Sequence, residues 1–388
     1  MKIKVGREAL IPHLAVLGSI ASKNSGQHDF ITCMVRIDPK ESGVIGLTVT
    51  DFSRELSVEI RADEVSNADG PALVDAHKFG QIIRALPDGA TTTIESVGKD
   101  GKIKMQSGKS RFLLATGDSS TFPLMDPIAA DKDIEVRVDV AAMRHLLRGT
   151  MFAMSKDDAR HFINGALFSV HHNSLTVVAT NGHHLATCRT AIPSAASPAE
   201  TQVILPWASV LELYRILEKA PDEDAVELWF GAARLWTRCG AYRYATGYVD
   251  GRYPDYERII PKERNAGGRG EVDTEVLGHA VKRTSLVLSG GDRGDVQSIA
   301  MSFSESGVKL AAENWNGDTA TEQVEMAYAG AEITIGFKAE YVQNVLDASR
   351  TGKMTLFLPP EPTSAMLIKE SSEIEGWFSA YVIMPRVL

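Results

Sequence analysis

Hydrophobic and polar positions along this chain follow two periods. Stretches in which apolar residues return every three or four positions predict amphipathic helices, and short stretches of strict alternation predict strands. The helical period is plain in Met143, Leu146, Leu147, Met151 and Met154, which share one face while Arg144, His145 and Arg148 lie off it. A second kind of helix is expected over 75–86, 207–219 and 337–349. Alternation is clearest in the stretch from Thr92 to Val97. A turn at Lys99-Asp100-Gly101 follows, then Lys102 to Gln106, a turn at Ser107-Gly108-Lys109, and Ser110 to Thr116. That is the pattern of a β-meander.

These elements recur. An aromatic or Met residue precedes Pro at Phe122-Pro123, Tyr253-Pro254 and Met384-Pro385, with the prolines 131 and 131 residues apart. Ala115-Thr116-Gly117 returns as Ala245-Thr246-Gly247 after 130 residues. Phe79, Val210 and Tyr341 sit mid-helix at intervals of 131 and 131, and Leu10, Met143 and Leu277 sit early in the other helices at 133 and 134. Asp139 and Asp273 stand where N-caps belong. Several coincidences in one register mean a threefold internal repeat. Each copy carries two helices and about eight short strands in two similar halves. The fold class is therefore α+β, three tandem two-helix, antiparallel-sheet domains over 1–128, 129–257 and 258–388.

A chain of 388 residues is long enough for two or three cores. No run of about 18 apolar residues occurs, so no membrane-spanning helix and no membrane partner is expected. The opening Met1-Lys2-Ile3-Lys4-Val5-Gly6-Arg7-Glu8 lacks an apolar signal core. Cys33, Cys188 and Cys239 are odd in number and far apart, which fits reduced thiols and a cytoplasmic setting better than a disulfide frame. The net charge of −9 argues against a uniformly basic DNA-coating surface. Basic residues nevertheless recur on the helices of every copy, among them Arg84, Arg144, Arg215, Lys219, Lys282, Arg283 and Lys338, while acidic residues gather in strands and loops.

Candidate chemistry is sparse. Gly108-Lys109-Ser110 lacks the earlier glycine of a phosphate loop, because Ile103 stands there, and it joins two strands. Adjacent histidines on a strand point to opposite faces, so His171-His172 and His183-His184 are not expected to chelate a metal, and His171-His172-Asn173-Ser174 is a hairpin turn. No Ser/His/Asp or Cys/His spacing singles out a nucleophile. No catalytic residue, metal or cofactor is expected.

Several segments resemble one family closely. They are Phe162-Ile163-Asn164-Gly165-Ala166-Leu167-Phe168, Val178-Ala179-Thr180-Asn181-Gly182-His183-His184-Leu185-Ala186, Val249-Asp250-Gly251-Arg252-Tyr253-Pro254-Asp255-Tyr256 and Ala380-Tyr381-Val382-Ile383-Met384-Pro385. In this order the chain is similar to the bacterial sliding clamp, the beta subunit of DNA polymerase III, from Met1 to Leu388.

The resemblance implies a ring-shaped, head-to-tail homodimer with no free edge. Two helices from each of six domains would line the hole. With helices roughly 10 Å wide, the opening is about 28 Å, room for duplex DNA and a water layer. Lys23, His77, Lys78, Arg148, Arg160, His161 and Phe162 are then expected near DNA, and Arg215, Lys282 and Arg283 belong to the same basic helices. Phe112 and Leu114 are expected to face Val287 and Leu288 across the dimer seam. The resemblance also implies a cleft for short peptides from replicative and repair polymerases and the clamp loader. It comprises Ile163, Thr180, Gly182, His183, His184, Leu185, Pro254, Arg258, Ile259, Ala365, Val382, Ile383, Met384, Pro385, Arg386, Val387 and Leu388. The chain departs from the family at His184, where Arg is usual, and at Asn181, where Asp is common. Two other classes make different predictions. A hydrolase needs a metal or perturbed pair in one copy only. A monomeric protein scaffold has the mass of one 42.1 kDa chain.

Overall fold

The computed structural model describes residues 1–22, 30–66, 70–97, 101–125, 134–192, 200–288, 298–372 and 374–386. Its helices are α1 (Arg7–Ile20), α2 (Ala76–Ala85), α3 (Val140–Arg148), α4 (Trp207–Leu217), α5 (Thr274–Ser285) and α6 (Ala339–Asp347). All connected strands pair antiparallel. The expected helix positions of the repeat fall inside the helices. Leu10, Met143 and Leu277 are fully buried in α1, α3 and α5, and Phe79, Val210 and Tyr341 are buried in α2, α4 and α6.

Local chemistry accounts for where the helices begin. Asp75 caps α2 by accepting from Lys78 N at 2.7 Å, and Asp273 caps α5 by accepting from Glu275 N and Val276 N, both at 3.0 Å. The apolar face predicted through Met154 is shorter than expected. α3 stops at Arg148, Met151 lies in the 3-10 turn Met151–Ala153, and Met154 follows it. At the residue after the helix, Gly149, a Cβ would come within 2.6 Å of Cys188 Sγ, so the chain passes close to the sheet there and only glycine fits.

The described chain forms two compact units. The first gathers residues within 1–143 and 211–248, the second those within 144–210 and 249–386. In the first unit, Tyr242–Gly247 pairs with Arg54–Arg61, with Tyr244 opposite Leu56, which joins strands of the first and middle repeats into one eight-stranded sheet. In the second, His184–Ala191 pairs with Trp377–Ile383, with Thr187 opposite Ala380, which joins strands of the middle and last repeats into a nine-stranded sheet. α1 packs on α2 in the first unit and α5 on α6 in the second. The expected junction at 128/129 lies outside the described residues, and that at 257/258 falls in the 3-10 turn Tyr256–Arg258.

Each unit also holds a smaller sheet with an open edge. Ser110–Ala115 ends a five-stranded sheet in the first, and Thr319–Val324 ends a four-stranded sheet in the second. Ser110–Ala115 leaves Leu113 57% exposed although it alternates like an inner strand. An edge of this kind presents unpaired backbone donors and acceptors.

Candidate functional site

The residues expected to form the cleft are built on the nine-stranded sheet of the second unit. Leu185 lies opposite Val382 in the central strand pair, and both pack with Ile163, Leu167, Val178, Ile204, Tyr253 and Leu367 in one buried cluster. Phe162, Tyr256 and Ala365 pack against this floor and are only partly buried. Ile259 and Met384 are 48% and 40% exposed. Pro254 shares a groove of about 240 Å³ with Leu167, Gln202, Tyr253 and Tyr256. Ala365 and Leu367 line a second groove of about 210 Å³ with Pro261 and Phe357.

A tight turn fixes one end. Asn181 Oδ1 accepts from His183 N at 2.9 Å and His184 N at 3.1 Å, while Thr180 Oγ1 donates to His184 O at 2.8 Å and accepts from Gly182 N at 3.1 Å. Gly182 has φ +86°, and a Cβ on it would stand 2.9 Å from Arg160 Nη2. Arg160 in turn grips Asp158 at 2.9 Å, and that pair holds the Asp158 carboxyl down at about 2. Met384 N donates to His183 O at 2.9 Å, tying the C-terminal segment to this turn.

Not every expected cleft residue faces the floor. His184 follows the strand's alternation to the face opposite Leu185, stacked against Phe152 at 5.8 Å and Tyr341 at 4.1 Å. Its Nε2 donates to Phe152 O at 3.3 Å, and its buried Nδ1 has no partner among the described residues. Burial pushes its pKa down to about 4. Ile383, opposite His184 in the ladder, is buried on that same face. Arg386 is held by a backbone bond to Gly336 O at 2.8 Å, and Arg258 pairs with Asp255 at 2.8 Å. Val387 and Leu388 lie outside the described residues.

Most residues expected near DNA carry a partner of their own. Arg148 donates to the Asp347 carbonyl at 3.0 Å, and Lys282 pairs with the same residue's carboxylate at 3.7 Å. Arg283 forks onto Glu322 of the Thr319–Val324 edge strand at 2.5 and 2.8 Å, and Arg215 pairs with Glu212 at 3.2 Å. His77 donates to Ala21 O at 3.0 Å, Lys78 is exposed, and His161 packs edge-on to Phe162 at 5.9 Å. Lys23 lies outside the described residues.

Of the expected seam residues, Phe112 and Leu114 are half-buried on the open Ser110–Ala115 edge. In the second unit, Val287 is half-buried and Leu288 buried, in the turn after α5. The sequence reading missed Leu113, Leu286 (70% exposed) and Trp315 (86% exposed). Leu113 had a signal, since alternation puts it on the face opposite Phe112 and Leu114, on a strand whose inner face those two define. The expectation that His171 and His172 diverge is wrong: their ring centroids are 4.0 Å apart. His172 takes φ +50° in the turn, so it does not obey strand alternation.

Comparison with known proteins places the chain in one family along its length. Residues 1–126, 137–255 and 257–386 match the N-terminal, central and C-terminal domains of the DNA polymerase III beta subunit. The chain is 31% identical over 346 residues to the beta sliding clamp of Salmonella typhimurium, covering 89% of each. It superposes on the DNA polymerase III beta subunit of Pseudomonas aeruginosa with a TM-score of 0.88 and 28% identity, covering 100% of both chains. It also superposes on the sliding clamp of the same organism bound to griselimycin with a TM-score of 0.87.

Proposed function

The chain belongs to the DNA polymerase III beta subunit family, the bacterial sliding clamps, and from that premise we propose how its residues carry the work of a clamp. A clamp is a non-catalytic processivity factor. It holds a polymerase on duplex DNA by topology, so its contacts to phosphate can be weak and indifferent to sequence. The observation that carries the reading for this chain is that the smaller sheet of each unit ends in an open edge, Ser110–Ala115 in the first and Thr319–Val324 in the second. Two copies joined head to tail would pair these edges, close the ring and bury Phe112, Leu113 and Leu114 beside Val287, Leu288 and Leu286. α1 to α6 would line the hole.

The cluster floored by Ile163, Leu185 and Val382 is the site for partner peptides. Its exposed Ile259 and Met384 offer an apolar wall to Leu or Phe side chains, and the Thr180–His184 turn supplies fixed polar groups at one end. The occupants would be short segments of replicative and repair polymerases and of the clamp loader. No described helix is long and apolar enough to cross a membrane, and a replication factor works in the cytoplasm.

The deciding experiment loads the protein onto nicked circular DNA and then linearises it. Retention on circles that is lost on cutting is expected of a ring held by topology. Equal retention on both forms, or on neither, would overturn the sliding mechanism. Sedimentation should give about twice the 42.1 kDa chain mass. Removing Met384 to Leu388 should weaken a polymerase-tail peptide by at least about tenfold, since it deletes part of the wall and its tie to His183, while the dimer persists.

A further inference from the structure

We propose that His171, His172 and Glu200 form a binding site for a divalent transition ion of the zinc class, at the turn between the Gly165–His171 and Ser174–Thr180 strands. The three side chains offer one ligand atom each, and these atoms lie within 4.8 Å of one another. Register brings the first pair together. Val170 faces Thr201 across the ladder, so the next step outward sets His171 beside Glu200, and His171 Nε2 lies 2.7 Å from Glu200 Oε1. The turn brings in the third. His172 has φ +50°, which swings its ring over that of His171, at 76° between planes, instead of sending it to the other face.

The donor set selects the ion. Two imidazoles and a carboxylate suit Zn²⁺, Ni²⁺ or Cu²⁺ and discriminate against Mg²⁺, which prefers oxygen and keeps its water. Ligand atoms on one tetrahedral zinc stand about 3.4 Å apart, given metal–ligand distances near 2.1 Å. Side-chain rotation, for which the exposed His171, His172 and Glu200 have room, would open the 2.7 Å His171–Glu200 contact and draw in the wider spacings of up to 4.8 Å. On binding, the metal takes the place of the direct His171–Glu200 contact. Three protein ligands leave a fourth position for water or for an incoming carboxylate. The site lies at the far end of the strand from the Thr180–His184 turn, although His171 also lines a groove with Tyr256, Ile260 and Phe378 beside the cleft floor. Thr180 lies six residues along the strand from Ser174, about 20 Å away at the usual rise.

The test titrates metal-stripped full-length protein with zinc chloride in millimolar Mg²⁺, with heat and the His171 and His172 imidazole NMR signals as readouts. One saturable Zn²⁺ per chain is expected, with both imidazoles perturbed. His171→Ala and His172→Ala should each weaken binding by about tenfold or more, and H171A combined with H172A and E200Q should abolish it. His183→Ala should leave it unchanged. Circular dichroism on each variant should match the parent, since all three side chains are exposed. No saturable uptake, uptake that survives the triple change, or displacement by Mg²⁺ would overturn the proposal and leave His171–Glu200 as a surface ion pair.

Discussion

At the scale of single residues, His184 makes the sharpest statement. It was expected on the cleft wall, yet it is buried and stacked between Phe152 and Tyr341. A buried imidazole there must stay neutral, and its pKa falls to about 4 from an ordinary 6.5. The unfolded chain takes up a proton near pH 6.5 while the folded one refuses it until about pH 4. Stability present above pH 6.5 is therefore lost as pH drops through that window, by roughly 3 kcal/mol in all at about 1.4 kcal/mol per unit. Half-buried His13, also lowered by burial, adds to the same trend. Urea denaturation at pH 7.5 and pH 4.5 should show the loss, and His184→Phe, which keeps the stack and removes the titration, should reduce it. An unchanged pH slope in that variant would move the effect elsewhere. Gly182 is the second such residue. Gly182→Ala places a methyl against Arg160 at φ +86° and should cost about 1–2 kcal/mol in the same assay.

At the scale of elements, helix starts follow from short-range chemistry, and Asp273 shows it. Its carboxylate takes two of the orphan N–H groups at the head of α5. Asp273→Ala should lower stability by about 1 kcal/mol, measured by thermal or urea unfolding, and Asp273→Asn should recover most of it. The meander of the first copy was legible almost residue for residue, since Thr91–Val97, Lys102–Ser107 and Ser110–Ala115 obey simple alternation. The end of α3 was not. The apolar period runs on through Met151 and Met154, but the helix stops at Arg148, where the chain comes so close to Cys188, distant in sequence, that only glycine fits at 149. The His171-His172 turn escaped for a related reason. Alternation governs strands, and one residue at positive φ suspends it.

At the scale of the whole molecule, charge has to be counted with its neighbours. Helix arginines and lysines suggested a basic lining, but Asp347 takes the charge of Lys282 and a bond from Arg148, and Glu322 takes Arg283. Exposed pairs like these are worth little to stability, so their larger consequence is for DNA. Asp347→Asn should strengthen retention on circular DNA as salt is raised. Charge reversal of Arg148 and Lys282 together should flatten the salt dependence, by about 0.9 in log–log slope for each phosphate that is no longer neutralised. An unchanged slope in the reversed variant would place these side chains away from the duplex.

The sequence by itself determined the threefold repeat, the α+β class, the family and the identity of the residues beneath the cleft. The repeat and the class follow from periodicity and local preference, which the chain carries in its own order, whereas the family and the residues expected beneath the cleft came from the resemblance of a few segments to that family. Tertiary structure decided which way adjacent residues face and what each charge meets. Leu185 lies on the floor and His184 behind it because strand neighbours take opposite faces of a sheet. His171 meets Glu200 because a register 29 residues wide in sequence closes in space. Packing between distant segments fixes such facts, and no local period encodes them.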